Sequence, residues 1–123
     1  MFHPDYLLLY VDSPAASAAF YSRLLQLDPV ESSPTFALFA LPSGLKLGLW
    51  SRHTVEPAAS ALGGGGEMAF SVADEARVDA VCAEWSGRGL TILQAPVAMD
   101  FGYTFVALDP DGHRLRVFTP SEG

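Results

Sequence analysis

The sequence has a single cysteine, few basic residues and no long hydrophobic run, and each shortage excludes a class of protein. Cys82 stands alone in 123 residues, which excludes an internal disulfide and a cysteine-based zinc site within one chain. No apolar run approaches the roughly 18 residues of a membrane span, and the residues after Met1 lack the basic start of a signal peptide. We therefore expect a cytoplasmic protein with no membrane partner.

Basic residues are also too few for a nucleic-acid partner. Seven Lys and Arg oppose 14 Asp and Glu, so the formal net charge is −7, and the basic residues are scattered. Nucleic-acid binding needs clustered cations that displace counterions, so this balance argues against DNA or RNA. Half of the residues are hydrophobic, which predicts one folded domain with a substantial core rather than a disordered chain.

The predicted order of helices and strands is the same in the two halves of the chain. In the first half, apolar runs and turn signals predict a strand over 6–11, a helix over 15–26, and strands over 29–30, 35–41 and 45–50. In the second half they predict a strand over 67–72, a helix over 75–88, and strands over 90–95, 103–108 and 113–118. Each half is thus βαβββ, an internal repeat that decides the fold.

Each predicted helix has one apolar face. The face of the first helix carries Ala16, Ala19, Phe20, Arg23, Leu24 and Leu27. The face of the second carries Val78, Val81, Cys82 and Trp85, which predicts that Trp85 packs in the core and that the Cys82 thiol is inert.

These boundaries predict an α+β fold of two tandem modules within a single domain covering 1–123. The first module spans about 4–52 and the second about 67–119. A connector over 62–66 contains four glycines and is expected to be flexible. It does not match a phosphate-binding loop, because no Gly-Lys-Ser/Thr follows the glycines.

Two motifs in register with this repeat resemble the vicinal-oxygen-chelate family, which includes glyoxalase I, extradiol dioxygenases and bleomycin-resistance proteins. The first motif comprises Val11-Asp12, Ser17 and Phe20-Tyr21, and the second is Asp109-Pro110-Asp111-Gly112. The resemblance implies curved mixed sheets around a shared cavity, formed either within one chain or across a dimer.

The enzymes of that family hold a divalent metal with His, Gln or Glu on the first and last strands of each module. The matching positions here are Tyr6, Gly48, Glu67 and Arg116. A phenol, an absent side chain, one carboxylate and a guanidinium are a poor ligand set for a divalent metal. None of the histidines (His3, His53 and His113) falls on a matching position. We therefore predict no metal and no cofactor.

Glu67 and Arg116 occupy facing positions in the family fold, so we predict an ion pair in place of the metal centre. Pairing removes the large cost of burying an isolated charge. The alternative is a register shifted by one residue, which would turn Arg116 towards solvent.

Residues 99–105 and 109–118 are similar to the drug-binding branch of the family, which includes phenazine-antibiotic-resistance proteins. This resemblance implies a homodimer that sequesters a planar aromatic antibiotic without chemistry. Flat side chains would then hold the ligand by stacking.

Several aromatic residues are candidates for that stacking. Trp50 lies two residues after Gly48, so both share one face, and the glycine is expected to leave room beside the indole. Phe36 and Leu38 face either the cavity or the helix, and the sequence leaves this open. Phe101 and Tyr103 are expected at the cavity rim, either as wall residues or in simple packing.

We therefore predict a binding protein for a small planar aromatic natural product, with no catalytic residue. The predicted ligand-binding residues are Tyr6, Phe36, Gly48, Trp50, Glu67, Phe101, Tyr103 and Arg116. The alternatives are a metal-dependent or acid–base lyase, isomerase or dioxygenase of the same superfamily, with Tyr6 and Glu67 as the acid–base pair, and a carrier in antibiotic biosynthesis. The sequence does not identify the ligand.

Overall fold

The computed structural model describes residues 2–121, which form two compact units, the first ending at Leu62 and the second beginning at Gly63. The elements of the first unit are β1 (Tyr6–Val11), α1 (Pro14–Leu25), β2 (Glu31–Ser32), β3 (Phe36–Ala40) and β4 (Lys46–Ser51). The elements of the second unit are β5 (Glu67–Ser71), α2 (Glu75–Gly87), β6 (Thr91–Met99), β7 (Gly102–Leu108) and β8 (Arg114–Pro120).

The two units have the same sheet topology. The strand order is β1-β4-β3-β2 in the first sheet and β5-β8-β7-β6 in the second. In each sheet the first and last strands of the unit pair in parallel and the other pairs are antiparallel. The predicted α+β fold with two βαβββ modules and mixed sheets is confirmed, and the parallel pair brings the first and last strands of each unit side by side.

Two strand predictions needed correction. The short second strand is Glu31–Ser32 and not residues 29–30. The sixth strand continues to Met99, four residues beyond its predicted end. The alternation of exposed and half-buried residues extends over most of this longer strand, and Pro96 within it is tolerated because β6 lies at the edge of its sheet.

Helix α1 begins as predicted but buries a different face. Ser13 caps it by accepting a hydrogen bond from the Ala16 backbone N–H, and Pro14 occupies the first turn. Its buried residues are Pro14, Ser17, Ala18 and Tyr21. The predicted face was wrong, since Ala16, Ala19 and Arg23 are exposed. Because Ser17 and Ala18 are small, α1 can lie close to the sheet. The fully buried Tyr21 ring fills the remaining space between the helix and the sheet.

Helix α2 buries the predicted face. Asp74 caps it by accepting from the Arg77 N–H at 2.8 Å. Val78, Val81 and Trp85 are buried, and the Trp85 ring meets Phe70 and Phe105 edge-to-face at centroid distances of 5.8 and 5.5 Å. The prediction that Trp85 belongs to the core is confirmed.

Strand alternation assigns every strand residue to one of two sheet faces. In the second unit, the contacts of Trp85 mark the helix-covered face. In the first unit, α1 contacts β3 and β4, and we assign it to the face that is almost completely buried, which carries Ala37, Phe39, Leu47 and Leu49. We call the opposite faces helix-free. The open question about the third strand is thereby answered, because Phe36 and Leu38 lie on the helix-free face, paired with Trp50 and Gly48.

Among residues 2–121, no helix is long and apolar enough to cross a membrane.

Gly102 at the start of β7 is required by its surroundings. Its φ is +151°, and a Cβ built there would lie 2.0 Å from the Thr119 carbonyl oxygen. We expect Gly102→Ala to destabilise the fold by about 2–4 kcal/mol, because backbone strain adds to a backbone clash. The free energy of unfolding from urea denaturation measures this.

Gly87→Ala is the matched control, because a Cβ there meets nothing within 4 Å. Its helical position predicts a gain of about 0.5–1 kcal/mol. Equal losses in the two variants would contradict this account of Gly102.

Candidate ligand-binding site

Glu67 and Arg116 form a bidentate ion pair on the helix-free face of the second sheet. Arg116 Nε donates to Glu67 Oε1 at 2.7 Å, and Arg116 Nη2 donates to Glu67 Oε2 at 2.9 Å. The backbone register pairs Glu67 with Arg114 and Ala69 with Arg116, so the longer Arg116 side chain reaches diagonally back to the carboxylate. The predicted ion pair is confirmed. The shifted register is excluded, because only 16% of the Arg116 side chain is exposed.

The ion pair shifts the pKa values of both residues so that each charged form is favoured. Hydrogen bonding by Arg116 holds the pKa of Glu67 below its usual value of 4.5, against a smaller opposing effect of burial. Hydrogen bonding to Glu67 raises the pKa of Arg116. Arg114 adds a second positive charge, with Nη1 4.0 Å from Glu67 Oε2. Both groups of the pair are therefore charged at neutral pH.

Thr104 holds the guanidinium from a third direction. Its Oγ1 accepts from Arg116 Nη1 at 3.2 Å and donates to the Val117 carbonyl at 2.8 Å. This buried threonine was missed in the sequence, although strand alternation from Arg116 on the neighbouring strand would have placed it on the same face. Glu67 and Thr104 together therefore fix the orientation of the Arg116 guanidinium plane.

Phe101 lies over this cluster. Its ring centroid is 5.6 Å from the Arg116 guanidinium carbon and 6.0 Å from the Phe118 ring, which it meets edge-to-face. Phe101 is 43% exposed. Phe118, which alternation also places on this face, was missed as well.

Tyr103 does not join the cluster. Its hydroxyl donates to Asp79 on α2 at 2.8 Å, so its side chain lies on the helix-covered face, opposite to Arg116. This hydrogen bond raises the pKa of Tyr103. Of the two alternatives for Tyr103, the structure supports packing against α2. Phe101 lies in the turn before β7, so strand alternation does not relate its direction to that of Tyr103.

Gln94 adds a polar group that the sequence analysis did not single out. It pairs with Val106, which pairs with Arg116, so all three share the helix-free face. Its Oε1 is buried and has no hydrogen-bond partner within residues 2–121. An unpartnered buried acceptor costs about 1–3 kcal/mol, which a hydrogen-bond donor at this position would offset.

The helix-free face of the first sheet carries the other aromatic candidates. Phe36 and Trp50 are paired across β3 and β4, with their rings edge-to-face at 6.1 Å. Tyr6, Leu8 and Tyr10 alternate along the neighbouring β1 and are 51%, 42% and 40% exposed. The structure thus brings Trp50, Phe36 and Tyr6 onto one face.

Gly48 does not leave open room beside Trp50, contrary to expectation. A Cβ built there would lie 2.5 Å from Leu8 Cδ2 and 3.0 Å from the Phe36 ring. The space is therefore filled by these two side chains, and the glycine lets them approach the backbone closely.

The residue types at the four positions that match metal ligands in the family are a poor fit to a divalent metal. Tyr6 lies under the ammonium of Lys46, with Nζ 5.1 Å from the ring centroid, and Gly48 supplies no donor atom. Both carboxylate oxygens of Glu67 accept hydrogen bonds from Arg116. Arg116 is itself a cation, and it stands at a position where a metal would need a ligand. Within residues 2–121, no group of three or more His, Cys, Asp or Glu side chains suits a metal ion. The residues present do not fit a divalent metal.

A separate polar cluster was also missed. Asp12 Oδ1 lies 2.7 Å from His53 Nε2 and 3.4 Å from Arg52 Nη2, and these contacts hold the pKa of Asp12 below its usual value. A cleft of about 400 Å³ lies beside it, lined by Arg52, His53 and residues 59–62. A second cleft of about 400 Å³ is lined by the start of α2 and by residues near the ends of β6, β7 and β8, including Tyr103. Glu67 and Arg116 line neither cleft.

The repeated βαβββ topology agrees with the family that the sequence comparison identifies. The family model of the Glyoxalase/Bleomycin resistance protein/Dioxygenase superfamily matches residues 3–117, and the chain belongs to this superfamily.

Relatives extend this assignment. The chain is 28% identical over 117 residues to the phenazine antibiotic resistance protein EhpR of Enterobacter agglomerans, covering 93% of this chain and 89% of EhpR. The solution structure of protein ATC0852 from Agrobacterium tumefaciens is 61% identical, with a TM-score of 0.91 over 99% of this chain and 100% of that one. A glyoxalase-related enzyme from Fulvimarina pelagi shares the fold, with 22% identity and a TM-score of 0.83 over 97% of this chain and 88% of that one.

The Glu67–Arg116 pair makes a pH-dependent contribution to stability. A depressed carboxyl pKa stabilises the fold above the unfolded value near 4.5, and this stabilisation is lost as the pH falls through the folded pKa. We expect Arg116→Met to raise the Glu67 pKa, as followed by NMR titration of its carboxyl carbon. The loss of unfolding free energy should be larger at pH 7 than at pH 3.

Arg88→Met is the control, because Arg88 pairs with Glu84 on the exposed surface of α2. This variant should leave the Glu67 titration unchanged. An unaltered Glu67 pKa in Arg116→Met would refute the role given to the ion pair.

Proposed function

We propose that this protein binds and sequesters a small planar aromatic molecule without a metal ion, in a resistance role. The Glu67–Arg116 ion pair carries the proposal. It occupies two of the positions where enzymes of the family hold their metal, so binding remains without the Lewis acid that their chemistry needs. We assign no catalytic residue and no cofactor.

The aromatic residues on the helix-free faces support a flat ligand. Trp50 and Phe36 offer one aromatic pair, and Phe101 and Phe118 offer another beside the charged cluster. Aromatic rings contribute large contact areas at a small cost in conformational entropy, while a few polar groups orient the ligand. The similarity to EhpR, a phenazine antibiotic resistance protein, supports a ligand of the phenazine type.

We also propose that the protein acts as a homodimer. The edge strand β6 supports this, because Leu93, Val97 and Met99 are 48%, 40% and 44% exposed along it. Exposed apolar side chains on an unpaired strand edge favour association with a second chain.

The binding proposal predicts that phenazine quenches tryptophan fluorescence and that Trp50→Ala removes most of the quenching. Loss of one stacking partner should weaken binding by about tenfold or more. Titration of the purified protein with phenazine measures both effects.

Trp85→Phe is the matched control, because Trp85 is buried against Phe70 and Phe105. It should lower stability and leave the dissociation constant for phenazine unchanged. Quenching that survives in Trp50→Ala and disappears in Trp85→Phe would overturn the assignment of Trp50.

The proposal also predicts that no metal is needed. Phenazine affinity should be the same before and after dialysis against EDTA, and metal analysis of the purified protein should find no stoichiometric Ni, Zn, Fe or Mn. A stoichiometric metal whose removal abolishes binding would instead support the metal-dependent enzyme of the same superfamily.

A further inference from the structure

We propose that the ligand is an anion, a planar aromatic carboxylate received by Arg116 and Arg114 on the helix-free face of the second sheet. This inference rests on the proposed function and names the chemical class of its ligand.

The hydrogen bonds of Arg116 leave a donor pair for such a group. A guanidinium has five N–H groups, and two pairs of them match the two oxygens of a carboxylate. Glu67 takes the pair on Nε and Nη2, and Thr104 takes one N–H of Nη1. One N–H on Nη1 and one on Nη2 have no partner within residues 2–121. These two nitrogens form the outer end of the guanidinium, where a second carboxylate can bind.

The local charge also favours an anion. Glu67 contributes one negative charge, while Arg114 and Arg116 contribute two positive charges, so the cluster carries a net charge of +1 in a chain of net charge −7. Only 16% of the Arg116 side chain and 29% of the Glu67 side chain are exposed. Because screening is weak at a partly buried site, the residual positive charge attracts a carboxylate and repels an ammonium group.

The aromatic neighbours place a ring beside that carboxylate. Phe101 lies over the guanidinium, packs edge-to-face on Phe118 and is 43% exposed. A ring that contacts Phe101 carries its carboxylate directly towards the outer end of Arg116. Phe101, Arg114 and Arg116 together therefore recognise an aromatic ring and an acid, whereas a neutral ring would gain nothing from the two arginine charges.

Calorimetric titration of the purified protein with three matched probes tests this: phenazine-1-carboxylate, phenazine-1-carboxamide and unsubstituted phenazine. At pH 7.5 we expect the carboxylate to bind about tenfold or more tightly than the carboxamide, because charge-assisted hydrogen bonds replace neutral ones. The preference should shrink as salt is raised from 50 to 500 mM.

Two variants, each lacking one positive charge, test whether the preference for the carboxylate depends on the arginine cluster. Arg114→Gln should reduce the preference for the carboxylate by about threefold or more and leaves the Glu67–Arg116 pair intact, so it avoids exposing an unpaired Glu67. Arg88→Gln removes the same charge at the exposed end of α2 and should leave the preference unchanged.

The outcomes separate the two proposals. Equal affinities for the carboxylate and the carboxamide would overturn this inference and leave the proposed function standing. A preference that falls equally in both variants would also overturn it, since general charge would then be the cause. Failure of all three probes to bind would overturn both.

Discussion

Each four-stranded sheet is covered by a single helix on one face, and the roles of the strand residues depend on this asymmetry. Because side chains alternate along a strand, half of them enter the core under the helix and half remain on the other face. In the second unit, Phe70 and Phe105 pack against Trp85, and their neighbours in sequence therefore turn away from the core. The helix-free face is left to side chains that a core would not tolerate, Glu67 and Arg116 among them.

The ion pair shows how such a face can hold charge at low cost. Two partly buried charges are tolerable when each satisfies the hydrogen bonds of the other, and here the carboxylate accepts two of them while Thr104 accepts a third from the guanidinium. The pair is held by the parallel neighbours β5 and β8, the same two strands that supply metal ligands in enzymes of the superfamily. In this chain the two strands instead carry a carboxylate and a guanidinium that bind each other.

Much of this site was predictable, and the failures have identifiable physical causes. Glu67 and Arg116 were found because they match the positions of metal ligands on the first and last strands of a module in the family. Tyr103 was correctly predicted to lie in a strand, but its face was left open, and only its hydrogen bond to Asp79 on α2 shows which face it occupies. The buried stripe of α1 was missed because leucines outweighed the small residues at 17 and 18 that the packing selected.

The resemblance to the family supplied the facing positions of Glu67 and Arg116. Sequence alone determined the repeated βαβββ order and the core position of Trp85. These depend on local propensities and on the period of hydrophobic residues, which are written into short stretches of chain. Only the tertiary structure decided that Phe36 shares a face with Trp50, that Leu8 and Phe36 fill the space at Gly48, and that Thr104 holds the guanidinium. Such contacts join residues far apart in sequence, and strand register and close packing must be known before they can be assigned.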